Sequence, residues 1–132
     1  MTTRSAPVAV RARSPIFSAL VGLASIGILL QGVWAGIFIR SGHANDATWV
    51  HVHARCGEVT IAVSVVAFAF AAWKLRSRAD LLVGTATLAA LLVVEAYIGG
   101  EIYKHEALEV IHFPLALALL GLAVWLPMRA RR

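Results

Sequence analysis

Residues 15–40 read PIFSALVGLASIGILLQGVWAGIFIR, twenty-six positions in which the only charged side chain is Arg40, at the very end. An α-helix rises 1.5 Å per residue and a bilayer's hydrocarbon core is about 30 Å thick, so about 20 apolar residues cross it. This stretch is long enough. Three more follow, from Ala47 to Trp73, Asp80 to Tyr103 and Leu108 to Met128. Short connections force neighbouring helices to run antiparallel, so the expected fold is all-α: an integral membrane four-helix bundle, up-down-up-down, forming one domain over residues 1–132. A chain that is 60% hydrophobic and 14% charged is excluded from the ordinary soluble globular class.

The net charge of +5 raises the question of nucleic acid, and its placement answers it. Arg4, Arg11 and Arg13 precede helix 1, Lys74, Arg76 and Arg78 sit in the second loop, and Arg129, Arg131 and Arg132 close the chain. These nine share one side of the bundle, leaving Arg40, Arg55 and Lys104 on the other. The positive-inside rule then puts both termini and the second loop in the cytoplasm, with a plasma membrane and its lipid as surroundings and no nucleic acid as partner. Gly42-His43-Ala44 resembles a small-x-small cleavage site, but the run from Ile16 to Ile39 exceeds the roughly 7–15 residues of a signal-peptide core, so helix 1 is expected to be kept. Cys56 is the single cysteine, so no intrachain disulfide forms.

Two segments align. Leu30-Gln31-Gly32-Val33-Trp34-Ala35-Gly36 sets Gln31 over Glu95, Gly32 over Ala96 and Gly36 over Gly100 of Val94-Glu95-Ala96-Tyr97-Ile98-Gly99-Gly100. Arg40 then matches Lys104 and, after a loop five residues shorter, His53 matches His112. The bundle is expected to contain a two-fold repeat of one helix hairpin. Residues four apart share a helix face, so Gly32 with Gly36 and Ala96 with Gly100 form small-xxx-small pairs that admit a neighbouring backbone or a flat macrocycle.

All five histidines, His43, His51, His53, His105 and His112, fall near the two outward loops. Imidazole is costly in a bilayer and marks a cofactor, a metal or a proton path. His53 lies about six residues into helix 2 and His112 about five into helix 4, so both sit roughly 7–9 Å deep. Helices 2 and 4 are diagonal in an up-down bundle, and two histidines so placed approach one iron from opposite sides. The expected ligand is a non-covalent haem b near the outer face, with His53 and His112 as axial ligands. Gly32, Gly36 and Gly100 are expected against the macrocycle, and Arg55, with Arg40 and Lys104, beside the propionates. His51, two residues from His53, faces another way. A mononuclear zinc or copper site from His53, His105, Glu109 and His112 is the alternative on the same residues.

The Gln31-Gly32-x-x-x-Gly36 stretch, followed by Trp49-Val50-His51-Val52-His53, resembles the corresponding hairpin of haem A synthase. Glu95 to Gly100 followed by His112 echoes it a second time. The resemblance implies one of that family's two four-helix bundles, with paired histidines on the second and fourth helices. Val50-His51-Val52-His53-Ala54-Arg55 stands where the family has Glu-x-x-His-Arg, and its paired outer-loop cysteines are missing. Three functions follow for comparison. One is a haem b membrane cytochrome carrying electrons. Another is a haem-modifying oxidase in which a homodimer rebuilds the double bundle. The third is a structural or assembly subunit of a larger respiratory complex.

Topology is checked by labelling. With the basic residues segregated nine to three, an impermeant thiol reagent applied from outside should label Ser41→Cys and spare Ser77→Cys; the opposite pattern inverts the bundle.

Overall fold

The computed structural model describes residues 14–40 and 47–131, with side chains described from Thr48 onward in the second segment. His43 lies outside the described residues. Within them are four long helices, α1 (Pro15–Arg40), α2 (Ala47–Lys74), α3 (Ala79–Glu101) and α4 (Glu109–Ala130), with a single 3-10 turn, Glu106–Leu108, leading into α4. All four are long and apolar enough to cross a membrane. The chain is a multi-pass membrane protein by this measure.

Local chemistry sets the ends. Ser14 caps α1, its Oγ accepting from the Phe17 N–H at 3.3 Å, and Pro15 takes the first helical position, where a missing N–H costs nothing. α3 stops at Glu101, two residues short of the expected Tyr103. The Gly99-Gly100 pair weakens its last turn, and the His105 N–H closes the turn onto the Glu101 and Ile102 carbonyls. α4 runs past Met128 to Ala130, with Pro114 and Pro127 inside it. Proline is tolerated in membrane helices where neighbours shelter the freed backbone groups.

Each helix packs on two others, α1 on α2 and α4, and α3 on α2 and α4, which closes a ring. Partners count in opposite directions in both hairpins: Gly27 meets Thr60 and Gln31 meets Gly57, while Asp80 meets Arg129 and Glu95 meets His112. The buried positions recur at alternating steps of three and four. They are Phe17, Val21, Ala24 and Ile28 on α1, Thr60, Ser64, Ala67 and Ala71 on α2, Leu81, Thr85, Leu88, Leu92 and Glu95 on α3, with Gly84 and Ala89 beside them, and Leu119, Ala123, Leu126 and Ala130 on α4. That spacing is the seam of gently crossing helices packed knobs into holes. Outward stand Leu23, Ile26, Val59, Val66, Val83 and Leu117, large apolar side chains left for lipid. The inside is smaller and more polar than the outside, as expected when lipid is the solvent.

One end is drawn together by charge. Asp80, in the first turn of α3, accepts from Arg78 through both carboxylate oxygens at 2.9 and 3.0 Å and from Arg129 Nε at 2.8 Å. Arg78 also donates to the Arg129 carbonyl at 3.1 Å. Hydrogen bonding to Asp80 raises the Arg78 guanidinium above its ordinary value, so it stays charged at any working pH. The second loop and the end of α4 therefore lie at the same end of the bundle.

The glycines correct one expectation. Gly32, Gly36 and Gly100 are exposed, and a Cβ on any of them would meet nothing within 4 Å. The close approaches are at Gly27, where a Cβ would run into the Thr60 side chain, and at Gly99, where it would lie 2.9 Å from His112. Gly27→Ala should therefore lower the thermal midpoint in detergent, with overpacking costing about 1–3 kcal/mol. Gly32→Ala and Gly36→Ala should leave it unchanged or slightly raised. Equal losses at all three would return the Gly32–Gly36 face to the interior.

Candidate functional site

Continuing each buried seam toward the end that carries the histidines places one polar residue per helix. Gln31 lies three residues beyond Ile28, His53 seven before Thr60, Glu95 three beyond Leu92, and His112 seven before Leu119. These are interior steps of a heptad-like seam. Four polar side chains thus form a layer across the bundle.

The layer is built from two unlike pairs. The His53 Nδ1–H donates to the Gln31 backbone carbonyl at 3.2 Å. A carbonyl only accepts, so Nδ1 carries the proton and Nε2 keeps its lone pair. The Gln31 side chain lies against Gly57, one turn beyond His53, and Phe38 meets the His53 ring edge-on at 5.6 Å. In the second pair, Glu95 Oε1 and His112 Nδ1 approach to 3.0 Å. The approach lacks hydrogen-bond alignment, so both Glu95 oxygens and His112 Nδ1 are buried without a hydrogen-bond partner. Gln31 Nε2 and Trp34 Nε1 share that condition. Gly99 makes room for the His112 ring.

Other expected site residues are elsewhere. Arg55 was expected beside the ligand, but its side chain is 76% exposed and ion-paired at 2.6 Å with Glu58. With His51 it lines a groove of about 640 Å³ on the outer side of α1 and α2. Two residues from His53 is about 200° around a helix, so the face of Arg55 and His51 is not the face of His53. Gly36 borders a second shallow depression with Val33, Ile37 and Arg40. His105 and Glu109 are exposed, and Lys104 pairs with Glu101 at 3.0 Å. Among the described residues no three His, Cys, Asp or Glu side chains gather as a metal-ion set, which removes the zinc or copper arrangement on His53, His105, Glu109 and His112.

Two features were not read from the sequence. Trp34 stacks on Trp49 with centroids 5.5 Å apart at 18°, bracing the first hairpin. Gly27 and Gly99, rather than Gly32 and Gly100, make the tight contacts. Their signal was present: Gly27 is four before Gln31 and Gly99 four after Glu95, on the same face as the polar residue.

Comparison with protein-family models, with curated proteins and with solved structures finds no match to the chain.

A buried carboxylate without hydrogen-bond partners is a stability cost kept for some other reason. Glu95→Leu should raise the thermal midpoint of the cofactor-free protein, by about 1–3 kcal/mol in stability. A lowered midpoint would mean that the Glu95–His112 contact holds the hairpin together.

Proposed function

We propose that this protein is a membrane b-type cytochrome, holding a haem b between His53 and His112 and passing electrons near the outer membrane face. The observation that carries the proposal is the His53 tautomer. With Nδ1–H given to the Gln31 carbonyl, Nε2 is left as an oriented, unprotonated donor, the arrangement seen where histidine ligates a metal. His112 on α4 is the matching imidazole, with the Glu95 carboxylate beside Nδ1. His112 would supply the second imidazole to the iron. The unpartnered polar atoms of Gln31, Glu95 and His112 fit a site completed by a bound group.

The two halves are read as a helix-hairpin repeat in an up-down-up-down bundle. Gln31 with His53 and Glu95 with His112 are the corresponding pairs. Neither surface depression lies between the histidines, so a macrocycle would enter by parting the adjacent helices α3 and α4. Pro114, which cannot donate to the carbonyl four residues back, and the Gly99-Gly100 pair ease that movement. When bound, the haem supplies one-electron chemistry. The chain supplies ligand orientation, burial and the local charge of Glu95, which together tune the potential. The resemblance of both hairpins to haem A synthase supports the same ligand pair.

Orientation is proposed with both termini cytoplasmic, in the plasma membrane. At the Asp80 end the described cations Lys74, Arg76, Arg78, Arg129 and Arg131 face the single acid Asp80, whereas at the other end Arg55 and Lys104 each have an acidic partner. The excess positive charge belongs inside.

Absorption spectra decide the matter. The purified protein should show a low-spin haem b, and His53→Ala or His112→Ala should lose the haem or leave a five-coordinate high-spin iron. His51→Ala should keep the low-spin spectrum. A colourless protein after reconstitution with hemin, or loss on His51→Ala with retention on His53→Ala, overturns the reading.

A further inference from the structure

The end of the bundle that carries Asp80 holds more positive charge than its own acid can match. Arg78 and Arg129 already share that carboxylate. Arg76 and Arg131 stand two residues from them in the chain and have no acidic partner among the described residues. Four arginines against one aspartate leave a surplus of three positive charges. The surplus sits at a definite depth. Asp80 and Arg129 are each one residue inside the ends of their apolar spans, Ala79–Glu101 and Glu106–Ala130, which is the level where hydrocarbon gives way to lipid head groups.

Arg129 is the cation best placed to meet a molecule from the membrane. Its one hydrogen bond among the described residues runs through Nε to Asp80, and its side chain is 42% exposed. The two Nη groups therefore keep four donor hydrogens, and a planar guanidinium offers them in the geometry that suits a phosphate. One turn deeper, Trp125 shares the helix face of Arg129. Its ring lies 3.5 Å from where a Gly84 Cβ would stand, so the indole leans against α3, yet it remains 44% exposed. Four residues deeper again, Gly121 is exposed and a Cβ there would meet nothing within 4 Å, so the surface drops away beneath the ring.

An arginine at head-group level, above an indole and a gap, suits a phosphodiester with an acyl chain below it. Head-group charge then decides between lipids. Phosphatidylcholine brings its own ammonium into a surplus of like charge, whereas a net negative head group does not. We propose that the α3–α4 edge at the Asp80 end binds an anionic phospholipid, its phosphodiester on the Arg129 Nη groups and an acyl chain over Trp125 and Gly121. The site shares no residue with the polar layer, so it stands independently of the haem reading.

The test places the full chain in phosphatidylcholine nanodiscs and raises the fraction of phosphatidylglycerol brominated on its acyl chains, reading the tryptophan quenching that Trp125→Phe abolishes. Quenching should saturate, with half-saturation at about tenfold less brominated phosphatidylglycerol than brominated phosphatidylcholine. That preference should fall about fivefold in Arg129→Gln, the effect of removing one cation from a membrane surface, and stay unchanged in Lys74→Gln at the end of α2. Gly121→Leu fills the gap without touching a charge. It should raise half-saturation for phosphatidylglycerol severalfold, and it decides the matter if Arg129→Gln fails to fold. Equal half-saturation for the two lipids, or an unchanged Gly121→Leu, overturns the proposal by showing ordinary lipid contact. Equal losses in Lys74→Gln and Arg129→Gln overturn it by showing diffuse attraction to the whole basic end. Loss of the preference in millimolar inorganic phosphate would give the arginine to a soluble anion and overturn it as well.

Discussion

In a bilayer no water is available to satisfy a polar side chain, so each one placed inside must find its complement within the protein. That constraint organises this bundle. Gln31, His53, Glu95 and His112 come one from each helix, and the heptad-like seam that buries Phe17, Leu88 and Leu119 delivers all four to the same level. Packing below the layer is apolar and close, with Gly27 letting α2 approach through Thr60. Within the layer the packing is incomplete in hydrogen-bonding terms, and that incompleteness is what distinguishes a site from a core.

The two pairs solve the same problem differently. His53 uses a backbone carbonyl, fixed by the helix and indifferent to pH. His112 faces the carboxyl group of a side chain on another helix. Outside the layer several charged residues are paired locally, Arg55 with Glu58, Lys104 with Glu101, and Arg78 and Arg129 with Asp80.

Much of the architecture was legible because span length depends only on hydropathy. The four helices begin and end within about two residues of where the apolar runs predict, and the main discrepancy, at Glu101, follows from two glycines and a turn. Orientation of each helix about its axis was harder to read. A helix apolar on every side has no moment to mark its inner face, so the Gly32–Gly36 pair looked as good an interior stripe as any. The polar residues were the better guide, because hydrocarbon penalises them if they turn outward. His53 and His112 were placed on that basis and do face inward, whereas Arg55, long enough to reach the interface from the outer side, was not constrained in the same way.

Glu95 bears on how the protein is made. Several polar side chains of α1 and α2 are satisfied within the first hairpin: Thr60 and Ser25 donate to carbonyls of their own helices, and His53 closes onto α1. α3 emerges with a carboxyl group in its last third and the imidazole beside it still to be synthesised on α4. Residence of α3 alone in lipid is thus penalised until seventeen further residues, up to His112, have been added. The second hairpin is best inserted as a unit, and truncation between α3 and α4 leaves an acid without its partner, the kind of flaw that membrane proteases and chaperones recognise.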